Sequence, residues 1–472
     1  MPETYDDRRV LRDRRTIMVA AALTLVVGVG CFLATIKFSR GQALVKGDGV
    51  AYFLYAQSIV LDLDAEVTRE FEILDARESP DDPNNAMLVM RIHSSRVPET
   101  GKIALPWPIG IGVAMAPFYA LGYVTELAVA HLQGRPPDIF GLIPQFGYCL
   151  GSLFYGFLGF WATLLCCRRV VEGRRGEILA WIGALAVILA GPAVFYIFFS
   201  PVMAHAATYG FAALMLLMWW KRWDAGSGSL FWLGLLFGFT ITLRYQSVMF
   251  APLLIVLVLR DARRRPLAEV AREALPGLLA SLVAPAIHGL HYLSLHGWSG
   301  FDWRGEGFAT EDELVRWFPY KFFDVLFSCH HGLFYWAPVL LFAVAGLIWA
   351  ARSEGWARVF LLTVVAHVYL IGSLEYSSTG GLAFGMRYFV ECSQFFAVGL
   401  TVLLRDTVGG AEIAARRWVQ RVGIWSAGFG VLVVANGLLI LAFGLGTISG
   451  TDCVTHAEMA RGIAAVFERL LS

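Results

Sequence analysis

The chain has 472 residues, 57% of them hydrophobic and only 16% charged, with a mean hydropathy of +0.61. Such a composition excludes an ordinary soluble domain and indicates an all-α polytopic membrane protein. The near balance of 38 basic against 37 acidic residues gives no broad positive field, which excludes nucleic acid as a partner.

In chain order, the first element is an apolar span at residues 16 to 36, preceded by Arg8, Arg9, Arg12, Arg14 and Arg15. The positive-inside rule holds that terminus in the cytoplasm and puts the following segment outside. The span is long and lacks a small-x-small cleavage site, so it reads as a retained anchor and not as a signal peptide. Residues 37 to 105 form the longest polar stretch, and from 62 to 102 acidic side chains outnumber basic ones ten to five. A mostly soluble external loop is expected there. It carries Gly47-Asp48-Gly49 and then a helix-compatible apolar run to residue 61. Asp48 is thus a lone carboxylate at the membrane surface, the depth at which the scissile bond of a lipid-linked substrate lies. It is the leading catalytic candidate. It also suits the N-cap of a juxtamembrane helix whose Tyr52 and Tyr55 would rest at the bilayer interface.

Further spans are expected at roughly 107 to 130, 140 to 166, 178 to 199, 203 to 220, 230 to 259, 276 to 296, 333 to 351, 359 to 374, 384 to 404 and 423 to 447. Basic clusters mark the cytoplasmic side: Arg168 to Arg175, Lys221 and Arg222, Arg260 to Arg265, Arg352 and Arg358, and Arg405 to Arg421. An even number of crossings must separate any two of them. Residues 230 to 259 lie between two such clusters, and a single helix of that length overshoots a ~30 Å hydrocarbon core by about half. Two half-spans meeting near Arg244 satisfy both constraints. The same parity makes residues 107 to 130 cross twice or not at all. The expected total is about 11 to 13 transmembrane helices, with the tail at 448 to 472 outside. Residues 1 to 447 then form one transmembrane domain, with external loops at 37 to 105 and 297 to 332. Basic amphipathic stretches at 261 to 273 and 410 to 421 are expected on the cytoplasmic interface. Gly234 with Gly238, and Gly444 with Gly446, are read as surfaces for close helix packing.

This topology sorts the polar residues onto one side: Asp48, His205 after Ser200-Pro201, Arg244, the pair His330 and His331, and Arg387. Charged groups at membrane depth on one leaflet point to a working cavity. His205 reads equally as a structural histidine at a helix start, and Arg244 as a side chain snorkelling to headgroups. Arg387 opens a long apolar span and needs an anionic partner. His330 and His331 are adjacent and diverge on a helix, so they do not form a metal pair. Of seven cysteines, most read as small buried hydrophobes, while Cys329 and Cys453 fall in external segments where a bridge can form.

Ordered along the chain, several strings resemble the bacterial members of the GT-C superfamily of membrane glycosyltransferases. They are Gly47-Asp48-Gly49 with Tyr52, Pro108-Ile-Gly110 leading to Ala116-Pro117-Phe118, His205 after Ser200-Pro201, Leu243-Arg244, His331-Gly332-Leu333 with Trp336-Ala337-Pro338, and Gly380-Gly381 with Gly385-Met-Arg387-Tyr388. The resemblance covers about residues 10 to 405. It implies a GT-C-like fold with juxtamembrane helices in the first external loop. The implied reaction is inverting transfer of a sugar from a polyprenyl-phosphate carrier to a glycan or lipid acceptor at the outer face of the cytoplasmic membrane, among membrane lipids. By that analogy Asp48 is the general base and Arg244 and Arg387 hold the donor phosphate. His205, His331, His330 and Tyr52 line the substrate site. Where many members carry two adjacent acidic residues, this chain has Asp48 followed by Gly49, which leaves a divalent cation as an open cofactor and no metal ligand assigned. The segment before Gly380 lacks the tryptophan expected there, and the short tail implies no periplasmic acceptor-binding domain. A transporter or flippase of a lipid-linked or polar substrate is the alternative class; it would retain the cavity without needing Asp48.

Overall fold

A computed structural model describes residues 44–77, 94–226, 228–297, 321–374, 383–409, 413–449 and 452–471. The first span, Gly380-Gly381 and much of the loop at 297 to 332 lie outside these residues. Two helices come first, α1 (Gly49–Leu61) and α2 (Thr68–Arg77), and then a two-residue ladder, β1 (Ser95–Arg96) against β2 (Ile103–Ala104). The bundle continues with α3 (Gly110–Gln133), α4 (Leu142–Arg168), α5 (Gly173–Leu189), α6 (His205–Ala225), α7 (Leu230–Leu243), α8 (Ala251–Ala262) and α9 (Leu267–His296). Its second half comprises α10 (Phe322–Phe327), α11 (Leu333–Trp336), α12 (Val339–Ala350), α13 (Gly355–Ser373), α14 (Ser393–Val408), α15 (Ala415–Gly444) and α16 (His456–Leu471). Seven helices among the described residues are long and apolar enough to cross a membrane, and the chain is a multi-pass membrane protein.

The split expected inside residues 230 to 259 is present. α7 stops at Leu243, Arg244 is extended at φ −155° and ψ 124°, and a 3₁₀ turn, Tyr245–Phe250, leads into α8. Gly234 and Gly238 allow α7 to lie directly on α9, since a Cβ at either would overlap the carbonyl of Gly277 or Ser281. Gly444 and Gly446 do not pack in this way. A Cβ added at either would meet nothing within 4 Å, and Gly446, at φ +65°, forms the turn that ends α15.

α3 bears on the parity demand. It is one unbroken helix, so it cannot cross twice. Its first turn rests on Thr242, two residues before Arg244, and the Tyr155 hydroxyl donates to the Ala114 carbonyl at 2.8 Å. The loop behind its far end returns to the Asp48 end of the bundle: Asp138 accepts from Arg77 at 2.7 Å, and Gln145 accepts from the backbone N–H groups of Leu44 and Val45 at 2.8 and 3.1 Å. The start of α3 and the loop that follows it therefore lie near α1 and Asp48, and its length and composition alone permit a crossing.

One expectation needs correction. α1 is not an interfacial helix with wet tyrosine tips: Tyr52 is buried against Trp107, and Tyr55 against Gly112 of α3 and the His291 ring of α9. The stretches at 261 to 273 and 410 to 421 lead into longer helices, α9 from Leu267 and α15 from Ala415. In the tail, α16 packs on α15, and a Cys329–Cys453 disulfide ties the segment before it to the segment before α11.

Candidate active site

Asp48 is set by the turn before α1, where Gly47 takes φ +58°, a conformation that costs a glycine little. Asp48 occupies the N-cap position but makes no capping hydrogen bond. Its carboxylate instead faces Arg387, with Oδ2 3.3 Å from Nη1. The next residue has to be small, because a Cβ on Gly49 would run into the Val202 side chain. A second acidic residue beside Asp48 has no room here, which gives the Asp-Gly pair a steric cause.

Arg387 opens a 3₁₀ segment, Arg387–Cys392, that leads into α14. Its Nη2 donates to the Tyr388 hydroxyl at 3.3 Å, and its Nε has no hydrogen-bond partner among the described residues. The Tyr388 ring is shared, with the guanidinium carbons of Arg387 and Arg244 each 5.2 Å from its centroid. Arg244 arrives at this ring because the α7 break leaves its backbone extended.

The Arg244 side chain is buried and does not snorkel. Its Nη1 lies 2.5 Å from Nδ1 and 2.8 Å from Nε2 of His205, the first residue of α6. Guanidinium groups only donate, so His205 meets it as a neutral imidazole. Tyr196, from a π-helical turn at Phe195–Phe199, packs on the His205 ring at 4.3 Å and exchanges hydrogen bonds with the Phe384 backbone at 3.1 Å. Tyr52, one turn after Asp48, is buried against Trp107 and lies within electrostatic reach of Asp48, Arg244, Arg387 and Tyr388.

Five expected residues therefore converge: Asp48, Tyr52, His205, Arg244 and Arg387. His330 and His331 belong to the adjoining layer. His331 is buried on Trp336, whose ring packs against Phe384, while the His330 backbone N–H is held by the Ser328 hydroxyl at 3.1 Å. Sequence reading missed two members. Glu391 is wholly buried, 3.5 Å from Arg244 Nε and 3.7 Å from His367 Nε2, and His367 in turn donates to the Tyr388 carbonyl at 2.7 Å. A lone carboxylate and a lone histidine inside apolar spans were the signals that could have found them.

Exposure gives the cluster a direction. The Asp48 side chain retains 23% of its accessible surface, against 11% for Arg387, 9% for Arg244 and none for Glu391. The cluster is thus open at the carboxylate and closed behind the guanidiniums. Among the described residues, no group of three or more histidine, cysteine, aspartate or glutamate side chains is placed to hold a metal ion.

No protein-family model and no curated protein sequence matches the chain. Among solved structures, it is similar to ArnT from Cupriavidus metallidurans in a crystal structure bound to undecaprenyl phosphate. That match has a TM-score of 0.50 and 14% identity, over 96% of this chain and 76% of that one. At this identity the likeness speaks for the fold alone, and it bears out the all-helical polytopic architecture that the GT-C resemblance implied.

Proposed function

We propose that this protein is a glycosyltransferase that moves a sugar from a polyprenyl-phosphate carrier to an acceptor hydroxyl at the outer face of the cytoplasmic membrane, with inversion at the anomeric carbon. The observation that carries this reading is a single partly open carboxylate, Asp48, 3.3 Å from one buried guanidinium and grouped around one tyrosine ring with a second. Similarity to a protein whose crystal structure holds undecaprenyl phosphate supports the choice of carrier. The Cys329–Cys453 bridge supports the choice of side, because disulfides persist in oxidising compartments.

The chemistry follows from charge. As the acceptor oxygen attacks the anomeric carbon, the bond to the phosphate oxygen breaks, positive charge builds on the sugar and negative charge on the leaving phosphate. Arg244 and Arg387 lie where that phosphate charge would be neutralised, in a buried setting where such contacts are strong. Asp48 takes the acceptor proton. Phosphate binding to Arg387 competes with Asp48 for the guanidinium, which frees the carboxylate to act as base when the donor is in place. His205 and Tyr52 border the sugar and phosphate, and the open edge at Asp48 admits the acceptor. A single displacement inverts the anomeric centre.

The test is Asp48→Asn in protein purified and reconstituted with a polyprenyl-phosphate sugar and a glycan acceptor. The expected loss of transfer is about 10²- to 10⁴-fold, with normal yield of folded protein. Transfer at the wild-type rate would remove Asp48 from the mechanism. Uptake of a polar solute coupled to an ion gradient, without transfer, would favour a transporter instead.

A further inference from the structure

Glu391 takes no part in the reaction as written, although it lies completely buried behind it. It sits four residues after Arg387 in the same 3₁₀ segment. One short element thus sends a cation to Asp48 on the α1 side and an anion to Arg244 at the α7 break. Glu391 provides the one carboxylate within 4 Å of Arg244 among the described residues. The other neighbours of that guanidinium are neutral: His205 at Nη1, the Tyr388 ring, and Gln246, which accepts from Nε at 2.6 Å when its amide oxygen is turned inward. An arginine buried to this degree, on a long flexible stem, needs a fixed counter-charge both to remain buried and to keep one orientation. The second contact of Glu391 strengthens that fixture. His367 stands 3.7 Å from its Oε1 and donates to the Tyr388 carbonyl, so the carboxylate and the residue whose ring lies beneath both guanidiniums flank the same histidine.

We infer that Glu391 is a positioning residue, which fixes the Arg244 guanidinium in the orientation that receives the donor phosphate. This inference rests on the reading of Arg244 as a phosphate ligand. It separates the two ends of the 3₁₀ segment by role: Arg387 meets substrate directly, and Glu391 acts only through Arg244.

A double-mutant cycle tests it, with undecaprenyl phosphate in detergent micelles as the probe and the dissociation constant as the readout. Glu391→Gln should weaken binding about 10-fold or more in the wild-type background, and less than about 2-fold in an Arg244→Ala background, because the residue it serves is gone. Glu391→Asp, which retains the charge, should recover part of the affinity, and it also serves as the second variant if the glutamine protein is recovered poorly. Equal losses in both backgrounds, or unchanged binding in Glu391→Gln, would overturn the positioning role. If Arg244→Ala itself bound the probe as well as the wild type, the phosphate-site reading would fall, and the role of Glu391 with it.

Discussion

Both ends of the bundle bury an arginine against acidic side chains, and they do so differently. At the end remote from Asp48, Arg222 donates to Asp261 from Nε at 3.0 Å and Nη2 at 2.6 Å, to Glu273 from Nη2 at 2.6 Å, and to the Gly228 carbonyl from Nη1 at 2.9 Å. That guanidinium is saturated by α8, α9 and the α6–α7 turn, and it holds three helices together. At the Asp48 end, Arg387 has one carboxylate contact at 3.3 Å and an Nε without a partner, and the nearest carboxylate to Arg244 is 3.5 Å away. Short, complete pairing serves assembly, whereas long, incomplete pairing leaves donor capacity for a ligand.

Replacing the two arginines in parallel is the strongest way to break this comparison. Arg222→Ala should destabilise the fold by about 3–5 kcal/mol, because it leaves the buried Asp261 carboxylate unpaired while Glu273 retains Arg265, and should lower the thermal denaturation midpoint in detergent accordingly. Arg387→Ala should cost about 1 kcal/mol or less of stability, since its partner Asp48 is partly exposed and the contact is long, yet should weaken polyprenyl-phosphate binding about 100-fold. Equal stability losses in the two variants would show that both ends are merely structural.

A smaller effect concerns a carboxylate with no close arginine. Glu70 in α2 is buried, and both its oxygens lack a hydrogen-bond donor among the described residues. Burial first, and then the neighbouring Asp62 carboxylate, raise its pKa to about 7, with Arg69 opposing weakly and Tyr119 nearby. The raised value favours the protonated form in the folded state. Its stabilising contribution is therefore full below the ordinary carboxylate range and is lost as pH rises through about 7. Hydrogen exchange of the α2 amides, corrected for intrinsic rates, should show less protection at pH 7.5 than at pH 5.5, and Glu70→Gln should remove the difference.

Much of this arrangement was legible in the sequence where one constraint acted alone. Parity of basic loops together with a length argument located the α7 break at Arg244, and Gly234 with Gly238 marked a close helix contact because backbone approach tolerates only small residues. Arg387 declared its need for an anion by opening an apolar span, and Asp48 is that anion. Glu391 was not legible, because a carboxylate inside a hydrophobic run acquires meaning only once the break 147 residues earlier in the chain is folded against it. The burial of α1 had a signal that was misread: apolar residues on all faces indicate a helix enclosed by protein, and the tyrosines drew the reading toward the bilayer surface. Cys329 and Cys453 could be named as a pair, but only the placement of α16 brings them together.

The decisive question is where a lipid phosphate sits, and a cryo-electron microscopy map of the protein with undecaprenyl phosphate answers it most directly. The arrangement described here predicts phosphate density within hydrogen-bonding distance of both Arg244 and Arg387, with the Asp48 carboxylate released from Arg387 and facing the open side. Phosphate bound only at the Arg222 end or on the outer helix faces, with the Asp48–Arg387 pair undisturbed, would contradict it.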